Sequence, residues 1–371
     1  MPVQSPIIEV SPASRVSLDS AASMSFASPP RLLPLFQGIS RWMHAWFIWL
    51  LLAVDLLAAF LPGPGQGLRD RWGEFPSVGV AINFPSILLA MMLFIAGLSV
   101  RRAHLRVLAA KPLLAGLGIA GCWLIPLALL LLLRWPASWL LPLSAFSQVW
   151  LGLVIVAAVP SAQSSVAWTQ NARGNVLLCL TVVLCTTLIS PLLTPQVVRS
   201  VGVDALAAEA ALNDVFSARF LVIWVVLPSL AGWLTVSAAG TERIDRLRPL
   251  LSVASCCLLL LLNYINASDA LPALGRHADA QVVAATLLLA AALCGGCFGL
   301  AYALARLNRL NQPEKSALVY ALGMKNNGIA LTLMGQSLSS YPLVSLVLIC
   351  YILLQHFIAG VLSNRWLREA D

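Results

Sequence analysis

Long apolar segments, almost free of charged residues, recur along this chain of 371 residues. Examples are Ala45–Leu61, which is broken only by Asp55, Ile87–Val100 and Val282–Leu300. A helix of about 20 apolar residues spans a bilayer. Only 10% of the residues are charged, against about 25% in soluble domains. The sequence therefore predicts an all-α membrane protein that crosses the bilayer many times.

The apolar segments predict ten transmembrane spans, which are numbered here in chain order. Their expected bounds are 42–62, 77–100, 112–134, 146–170, 175–195, 217–238, 248–265, 280–305, 314–336 and 341–364. They divide into two five-helix repeats, at residues 42–195 and 217–366. Because five is odd, the second repeat begins on the opposite side of the membrane, which is the inverted arrangement of many secondary transporters.

The basic residues indicate the orientation. The net charge is +8, and most Lys and Arg residues fall in loops that lie on one side if the N-terminus is inside. The positive-inside rule then predicts a multi-pass protein of the cell inner membrane with both termini in the cytoplasm. Residues 1–40 are rich in Ser, Pro and Ala and are expected to form a disordered cytoplasmic tail. The expected partner is the lipid bilayer and not nucleic acid, and the oligomeric state stays open.

The sequence shows no grouping of residues that is typical of a catalytic site or of a metal site. The eight cysteines lie within apolar stretches without nearby His or acidic ligands, which favours helix packing over a metal site. The spans contain no paired carboxylates, and the four histidines are scattered. We therefore expect no metal, no cofactor and no enzymatic activity, with an intramembrane enzyme or receptor as a remote alternative.

Polar residues interrupt spans 4 and 9, the fourth helix of each repeat. Span 4 contains Pro160–Ser165, and span 9 contains Gly323–Gly328. A single Pro or Gly kink is ordinary in a membrane helix, but interruptions at matching places in two halves indicate a substrate site.

At these interruptions the sequence resembles the bile acid:sodium symporter family. The resemblance rests on PSAQSSVAWTQNARGN at residues 160–175, on SPLLTP at 190–195 and on GMKN at 323–326. Further matches are Gly97-Leu98-Ser99, Ile125-Pro126 and His356. The resemblance implies a panel domain of spans 1, 2, 6 and 7, and a core domain of spans 3–5 and 8–10. It also implies that the broken spans 4 and 9 cross, that sodium binds behind the crossing, and that organic anions are carried by alternating access.

The sequence departs from this family at the positions that would bind sodium. Ser165 matches, but apolar or small residues replace five oxygen-bearing residues and a lysine replaces a sixth; these positions are Ala321, Val166, Cys179, Val183, Gly121 and Lys325. Sodium is a hard cation that requires oxygen ligands. We therefore interpret Lys325 as a built-in cation that takes the place of sodium.

A lysine near the middle of a span costs about 2.5–3.5 kcal/mol on insertion scales, which favours a role over chance. Snorkelling to an interface is the alternative. Asp55 is the other charge inside a span; it would either pair with Lys325 or face water at an interface. His356 is interpreted either as a site residue or as a structural histidine.

The sequence thus predicts a secondary transporter of small organic anions. Sodium independence is expected, with proton coupling or facilitated transport. The alternative is a sodium symporter with altered ion sites. Lys325 and Asp55 are assigned to ion coupling, and six residues to substrate binding: Gln163, Ser164, Ser165, Asn326, Asn327 and His356.

Overall fold

The computed structural model describes residues 32–75, 80–101, 110–201, 218–277, 279–337 and 341–370. Within these ranges the chain is almost wholly helical, apart from one antiparallel hairpin of β1 (Arg71–Phe75) and β2 (Val80–Asn83). The helices are α1 (Leu32–Ala45), α2 (Phe47–Phe60), α3 (Pro62–Gly67), α4 (Phe84–Gly97), α5 (Pro112–Leu140), α6 (Leu143–Ala158), α7 (Ser164–Asn171), α8 (Val176–Ser200), α9 (Ala218–Leu221), α10 (Leu227–Ala239), α11 (Thr241–His277), α12 (Ala280–Leu307), α13 (Gln312–Gly323), α14 (Asn327–Ser337) and α15 (Pro342–Ala370). A π-helical turn, Val222–Val226, joins α9 to α10.

Six of the described helical segments are long and apolar enough to cross a membrane. They are α5, α8, the α9–α10 segment, α11, α12 and α15. A seventh crossing is counted if α1 and α2, which are bent by 73° at their junction, form one span. The prediction of an all-α, multi-pass membrane protein is therefore confirmed. The count of ten crossings and the inverted repeats stay predictions, although each predicted span overlaps a helix or a pair of helices.

The predicted tail at residues 1–40 falls outside the described residues as far as residue 31. From Leu32 onward the chain is helical, so the prediction of a tail extending to residue 40 is wrong for that last part. The more buried side of α1 follows the i, i+3, i+4, i+7 spacing of an amphipathic helix. It consists of Phe36, Ile39, Ser40 and Met43. This face packs against α11.

Asparagine and aspartate side chains fix where several helices begin. Asn83 accepts a hydrogen bond from Ser86 N (2.9 Å) at the start of α4, and Asn175 accepts one from Leu178 N (3.0 Å) at α8. Asp279 and Asn311 cap α12 and α13 in the same way. Such caps satisfy N–H groups that the first helical turn leaves without partners.

The helices pack in two groups. In the first helix group, α11 packs on α1, α2, α3 and α4, and α4 packs on α10. In the second helix group, α12 packs on α5, α13 and α15, and α6 packs on α5, α8 and α15. The groups meet where α15 packs against α2 and α11, and α14 contacts members of both. The panel and core domains that the resemblance implied stay a prediction.

Ion pairs bring together loops that the sequence assigned to the same side. Arg101, after α4, pairs with Asp245 at the start of α11 (2.5 Å). Lys111, before α5, pairs with Glu314 at the start of α13. These contacts are consistent with the predicted orientation, in which all four residues lie on the inner side.

Two glycines allow α4 and α10 to pack backbone to backbone. A Cβ atom on Gly97 would collide with the carbonyl oxygen of Ser229, and a Cβ atom on Gly232 would collide with that of Phe94. The Cβ position of Gly232 is also only 3.0 Å from Cα of Gly97. Small residues permit this close approach between membrane helices.

We expect Gly232→Ala to lower the Tm of the purified protein, because overpacking of this kind costs about 1–3 kcal/mol. The matched control is Gly299→Ala on α12, where an added Cβ meets nothing within 4 Å and alanine favours the helix. A Tm for Gly232→Ala that is no lower than that of the control would contradict the close contact.

Candidate functional site

The two polar interruptions predicted from the sequence are real breaks, and they touch. The first lies between α6 and α7 at residues 159–163, and the second lies between α13 and α14 at 324–326. Ser161 and Lys325 form an antiparallel β-bridge. Ala162 N donates to Met324 O and Asn326 N donates to Pro160 O, both at 2.9 Å. Each break therefore supplies hydrogen-bond partners to the other, as backbone inside a bilayer requires.

Side chains from other helices satisfy the carbonyl groups at the end of α6. Ala158 O accepts from Trp123 Nε1 of α5 and from Thr194 Oγ1 of α8, each at 2.8 Å. Ser161 N donates to Thr186 Oγ1, also of α8, at 3.4 Å. The last carbonyls of a helix have no partner within it, so these donors stabilise the break.

Side chains of α15 supply hydrogen-bond partners to the backbone of the second break. Tyr351 hydroxyl donates to Gly323 O at 3.2 Å. Gln355 accepts from Lys325 N at 2.9 Å and donates to Lys325 O at 3.4 Å. One side-chain amide thus holds both backbone groups of Lys325.

The A-R-G-N motif forms the tight turn from α7 to α8. Arg173 adopts a left-handed conformation with φ 53°, and Gly174 N donates to Thr169 O at 2.8 Å. A Cβ on Gly174 would collide with Ser316 Oγ of α13, and Asn175 N donates to Pro313 O at 2.8 Å. The motif therefore seats the turn directly on the start of α13.

The S-P-L-L-T-P motif replaces a hydrogen bond that proline removes within α8. Pro191 has no N–H, so the carbonyl of Thr187 four residues earlier loses its helical donor. Ser190 Oγ donates to Thr187 O at 2.8 Å and replaces it. The motif's threonine is Thr194, which holds Ala158 O in the first break.

Lys325 extends behind the crossing into the second helix group. Its side chain is fully buried, and Nζ donates to Cys122 O of α5 and to Val159 O (3.3 Å) at the end of α6. Cys122 Sγ is 3.5 Å from Nζ. In the described part of the chain, no carboxylate lies within 4.0 Å of Nζ. The carbonyl of Val159 lies at the negative end of α6. The carbonyl of Cys122 lies within α5, where Pro126, four residues later, has no N–H to donate to it.

The predicted substrate residues of the first break differ in their freedom to bind a ligand. Ser165 is fully buried, and its hydroxyl donates to Ala162 O at 2.6 Å and lies 3.4 Å from Cys179 Sγ. Gln163 and Ser164 are half-buried at the start of α7. The hydroxyl of Ser165 is therefore committed to holding the break.

The two asparagines of the second break are both buried. Asn326 caps α14 because its Oδ1 accepts from Ile329 N at 3.4 Å. Asn327 has no hydrogen-bond partner in the described residues for either Oδ1 or Nδ2. Buried amides are normally hydrogen-bonded, so Asn327 is the side chain at the crossing with the most unused capacity.

His356 and Asp55 hydrogen-bond to residues other than Lys325. His356 Nδ1 accepts from Trp168 Nε1 of α7 at 3.1 Å, and its ring meets Phe47 of α2 edge-on, with centroids 4.7 Å apart. Asp55 Oδ1 accepts from Asn263 Nδ2 at 2.7 Å. The sequence alternative in which Asp55 pairs with Lys325 is therefore not seen, because each side chain has other partners.

Several residues that hold the site were missed from the sequence. Tyr351, Gln355 and Trp123 act on backbone atoms of distant helices, and no sequence spacing reveals such contacts. Thr194 lies within the S-P-L-L-T-P motif, but the motif does not reveal its contact with Ala158 O. Asn263 was detectable, since a polar side chain inside an apolar run of a membrane helix indicates a site.

The positions that carry sodium ligands in the resembled family are packed and apolar here. Ala321, Cys179 and Val183 are buried. A Cβ on Gly121 would lie 3.2 Å from a methyl group of Leu322, so a glutamine there would require Leu322 to shift.

Residues 45–368 match the SBF-like CPA transporter family (DUF4137). The chain is 26% identical over 332 residues to the uncharacterized protein PA2026 of Pseudomonas aeruginosa, an alignment that covers 86% of this chain and 92% of that protein. It is 28% identical over 177 residues to the uncharacterized protein YbaS of Bacillus subtilis, covering 47% of this chain and 55% of YbaS.

A third relative carries a functional name. The chain is 26% identical over 196 residues to the probable sodium/metabolite cotransporter BASS2, chloroplastic, of Oryza sativa subsp. japonica. That alignment covers 52% of this chain and 44% of BASS2. The match thus spans about half the length of YbaS and of BASS2, and nearly all of PA2026.

The shared carbonyl of Ala158 gives a test of the first break. Thr194→Val or Trp123→Phe alone leaves one donor, so each should lower the Tm only moderately. The double variant leaves a buried carbonyl without a partner, which costs about 1–3 kcal/mol. We expect its loss of stability to exceed the sum of the single losses.

The control for this cycle is Thr181→Val on α8. Thr181 Oγ1 donates only to Leu177 O of its own helix, at 2.7 Å. The control should have little effect alone and should be additive with Trp123→Phe. Additive losses for the Thr194 and Trp123 pair would show that the two donors act independently.

Proposed function

The chain belongs to the SBF-like CPA transporter family, and from this we propose that it is a secondary transporter of small organic anions with a lysine in place of coupling sodium. Membrane transport follows from the family itself. The substrate class, the coupling ion and the alternating-access mechanism are the proposal. The observation that carries it is Lys325, a fully buried cation held at the crossing by neutral carbonyl groups.

Helix polarity at the crossing favours an anion on the side opposite Lys325. Helices α7 and α14 begin at the two breaks, and helix N-termini carry partial positive charge and unpaired N–H groups. Asn327 adds an unused donor at the start of α14. A carboxylate bound there would meet two helix N-termini and an amide, while the whole region carries the charge of Lys325.

Lys325 supplies the charge that sodium supplies in the resembled family. A bound sodium ion would need oxygen atoms from side chains and carbonyls. Here the carbonyls of Cys122 and Val159 already accept from Nζ. The side chains that would complete an ion site are replaced by apolar ones, as at Ala321 and Val183.

Sodium-coupled transport is the second candidate, because the name of BASS2 describes a sodium/metabolite cotransporter. It requires ion sites at positions other than those of the resembled family. The packed surroundings of Gly121 and Ala321 support the sodium-independent alternative.

Alternating access would act at the boundary between the two helix groups. Helix α14 contacts both groups and begins at the crossing. A shift of the second group relative to the first would therefore change access to Asn327. We place the protein in the inner membrane with both termini in the cytoplasm, in line with the positive-inside rule.

We expect Asn326→Asp to abolish uptake of organic anions while it preserves the fold. Aspartate keeps the cap on Ile329 N and suits a helix N-terminus, but its charge repels a carboxylate substrate. Ligands would first be found by thermal shift with a panel of mono- and dicarboxylates. Uptake of the best ligand would then be measured in proteoliposomes.

The matched control is Asn308→Asp, which makes the same change at an exposed position after α12. Its uptake should equal that of the wild type. Undiminished uptake by Asn326→Asp would remove the substrate from the crossing, and failure of every organic acid in both assays would reject anion transport.

Uptake by the wild type should be the same with an inward sodium gradient as with a potassium gradient of equal size. The double substitution Lys325→Gln with Ala321→Glu restores two oxygen-bearing residues of the resembled family, and it should create sodium stimulation. A saturable, several-fold sodium stimulation of the wild type would overturn the role given to Lys325.

A further inference from the structure

Asp55 occupies the boundary between the two helix groups. It lies near the middle of α2, and its side chain is only 8% exposed. Two contacts define the local geometry: Phe47 of α2 meets His356 of α15, and Ala58 of α2 packs with Ile349 of α15. From the first contact to the second, residue numbers increase along α2 and decrease along α15. The two helices therefore run antiparallel, and Asp55 lies between the two contacts.

A single side chain hydrogen-bonds to Asp55 in the described residues. Asn263 of α11 donates its Nδ2 to Asp55 Oδ1 at 2.7 Å. The second carboxylate oxygen, Oδ2, is buried and has no partner there, and the same is true of Oδ1 of Asn263. Each planar group thus has one satisfied atom and one unsatisfied atom.

The two unsatisfied atoms share a chemical property. An ionised carboxylate can only accept hydrogen bonds, and an amide oxygen can only accept as well. Neither can therefore satisfy the other while Asp55 is charged. A protonated carboxyl group, in contrast, carries one O–H donor.

We propose that Asp55 and Asn263 form a proton-binding site at the boundary between the helix groups. A proton taken from water binds Oδ2 of Asp55, and the new O–H donates to Oδ1 of Asn263. Asn263 Nδ2 already donates to Oδ1 of Asp55, so the acid and the amide close a ring of two hydrogen bonds. One proton satisfies both buried acceptors and removes the buried charge.

The surroundings of Asp55 favour a proton over a metal cation. Hard metal ions such as Mg²⁺ and Ca²⁺ take six or more oxygen ligands. The described residues offer Oδ2 of Asp55, Oδ1 of Asn263 and, one turn along α11, the unpartnered Oδ1 of Asn266. Three oxygens are too few for such an ion.

No positive side chain neutralises Asp55 in the described part of the chain. Its titratable neighbours are Cys350 of α15 and Tyr264 of α11, whose hydroxyl donates to Leu61 O at 2.6 Å. His356 lies about two helical turns away along α2, against Phe47. Lys325 donates to carbonyls behind the crossing.

The location gives the proton a role in the cycle, and this step rests on the proposed transport function. A charged Asp55 has to reach water, whereas a neutral Asp55 can remain between α2, α11 and α15. Proton binding therefore favours the closed boundary seen here. If the boundary shifts during transport, proton binding and substrate movement are thermodynamically linked. Asp55 then carries the coupling proton.

The proton is tested directly by infrared difference spectroscopy of the full-length protein in liposomes. At mildly acidic pH, above the usual pKa range of exposed carboxylates, the wild type should show the carbonyl stretch of a protonated carboxylic acid, and this band should disappear as the pH is raised. Asp55→Asn should lack this band at the same pH. Its absence from the wild type at mildly acidic pH would overturn the proposal, even if the variant failed to fold.

Asp55→Asn also separates a proton site from a structural role. Its amide can donate to Asn263 and accept from it, as protonated Asp55 would. We expect its Tm to match that of the wild type at acidic pH and to change less as the pH rises. The control is Asp70→Asn, an exposed aspartate after α3, which should keep the pH dependence of the wild type.

Uptake measurements distinguish this proposal from the transport function. An inward proton gradient should stimulate anion uptake by the wild type and by Asp70→Asn, and the stimulation should be lost in Asp55→Asn. If stimulation persists in Asp55→Asn, the proton site is overturned while anion transport stands. If the infrared band titrates but no organic acid is transported, the proton site stands and the proposed function fails. Stabilisation by sodium that Asp55→Asn abolishes would assign the site to a metal ion and overturn the proton.

Discussion

Backbone hydrogen bonding inside a membrane is the constraint on which this structure depends. Lipid offers no partner to an exposed N–H or C=O, so a helix that stops within a bilayer must find its partners in the protein. This chain stops two helices and places the stops against each other. Ser161 and Lys325 pair as two short strands would, and α5, α8 and α15 direct side chains to the backbone of this region. The rest of the second helix group is arranged around that contact.

Two buried charges are accommodated in different ways. Lys325 donates to two backbone carbonyls, Val159 O at the negative end of α6 and Cys122 O, which lies four residues before Pro126 within α5. Asp55 meets one amide and no cation in the described residues. The first arrangement suits a permanent charge, and the second suits a group that is neutral when buried. In the proposed transport cycle the two charges therefore have different places: Lys325 at the crossing and Asp55 at the boundary between the helix groups.

Much of the fold could be predicted because the signals were local. Apolar length identifies membrane helices, and polar residues at Pro160–Ser165 and Gly323–Gly328 identify the breaks. The start of α1 was misjudged because its apolar face begins within a segment that composition alone marks as a tail. Asn263 was overlooked because one polar residue in a span has no obvious partner until the opposing helix is placed. Contacts such as Tyr351 with Gly323 O depend on tertiary packing and have no sequence pattern.

The contacts at the breaks also determine which substitutions the crossing can accept. Backbone atoms make the pairing between residues 160–162 and 324–326. Almost every residue type offers the same backbone N–H and C=O groups for it. The side chains that donate to the broken ends belong to other helices, at Trp123, Thr194, Tyr351 and Gln355. A substitution in the paired residues can therefore leave the backbone pairing in place. The loss of one of the four donors, in contrast, removes a hydrogen-bond partner from a buried backbone group at a broken end.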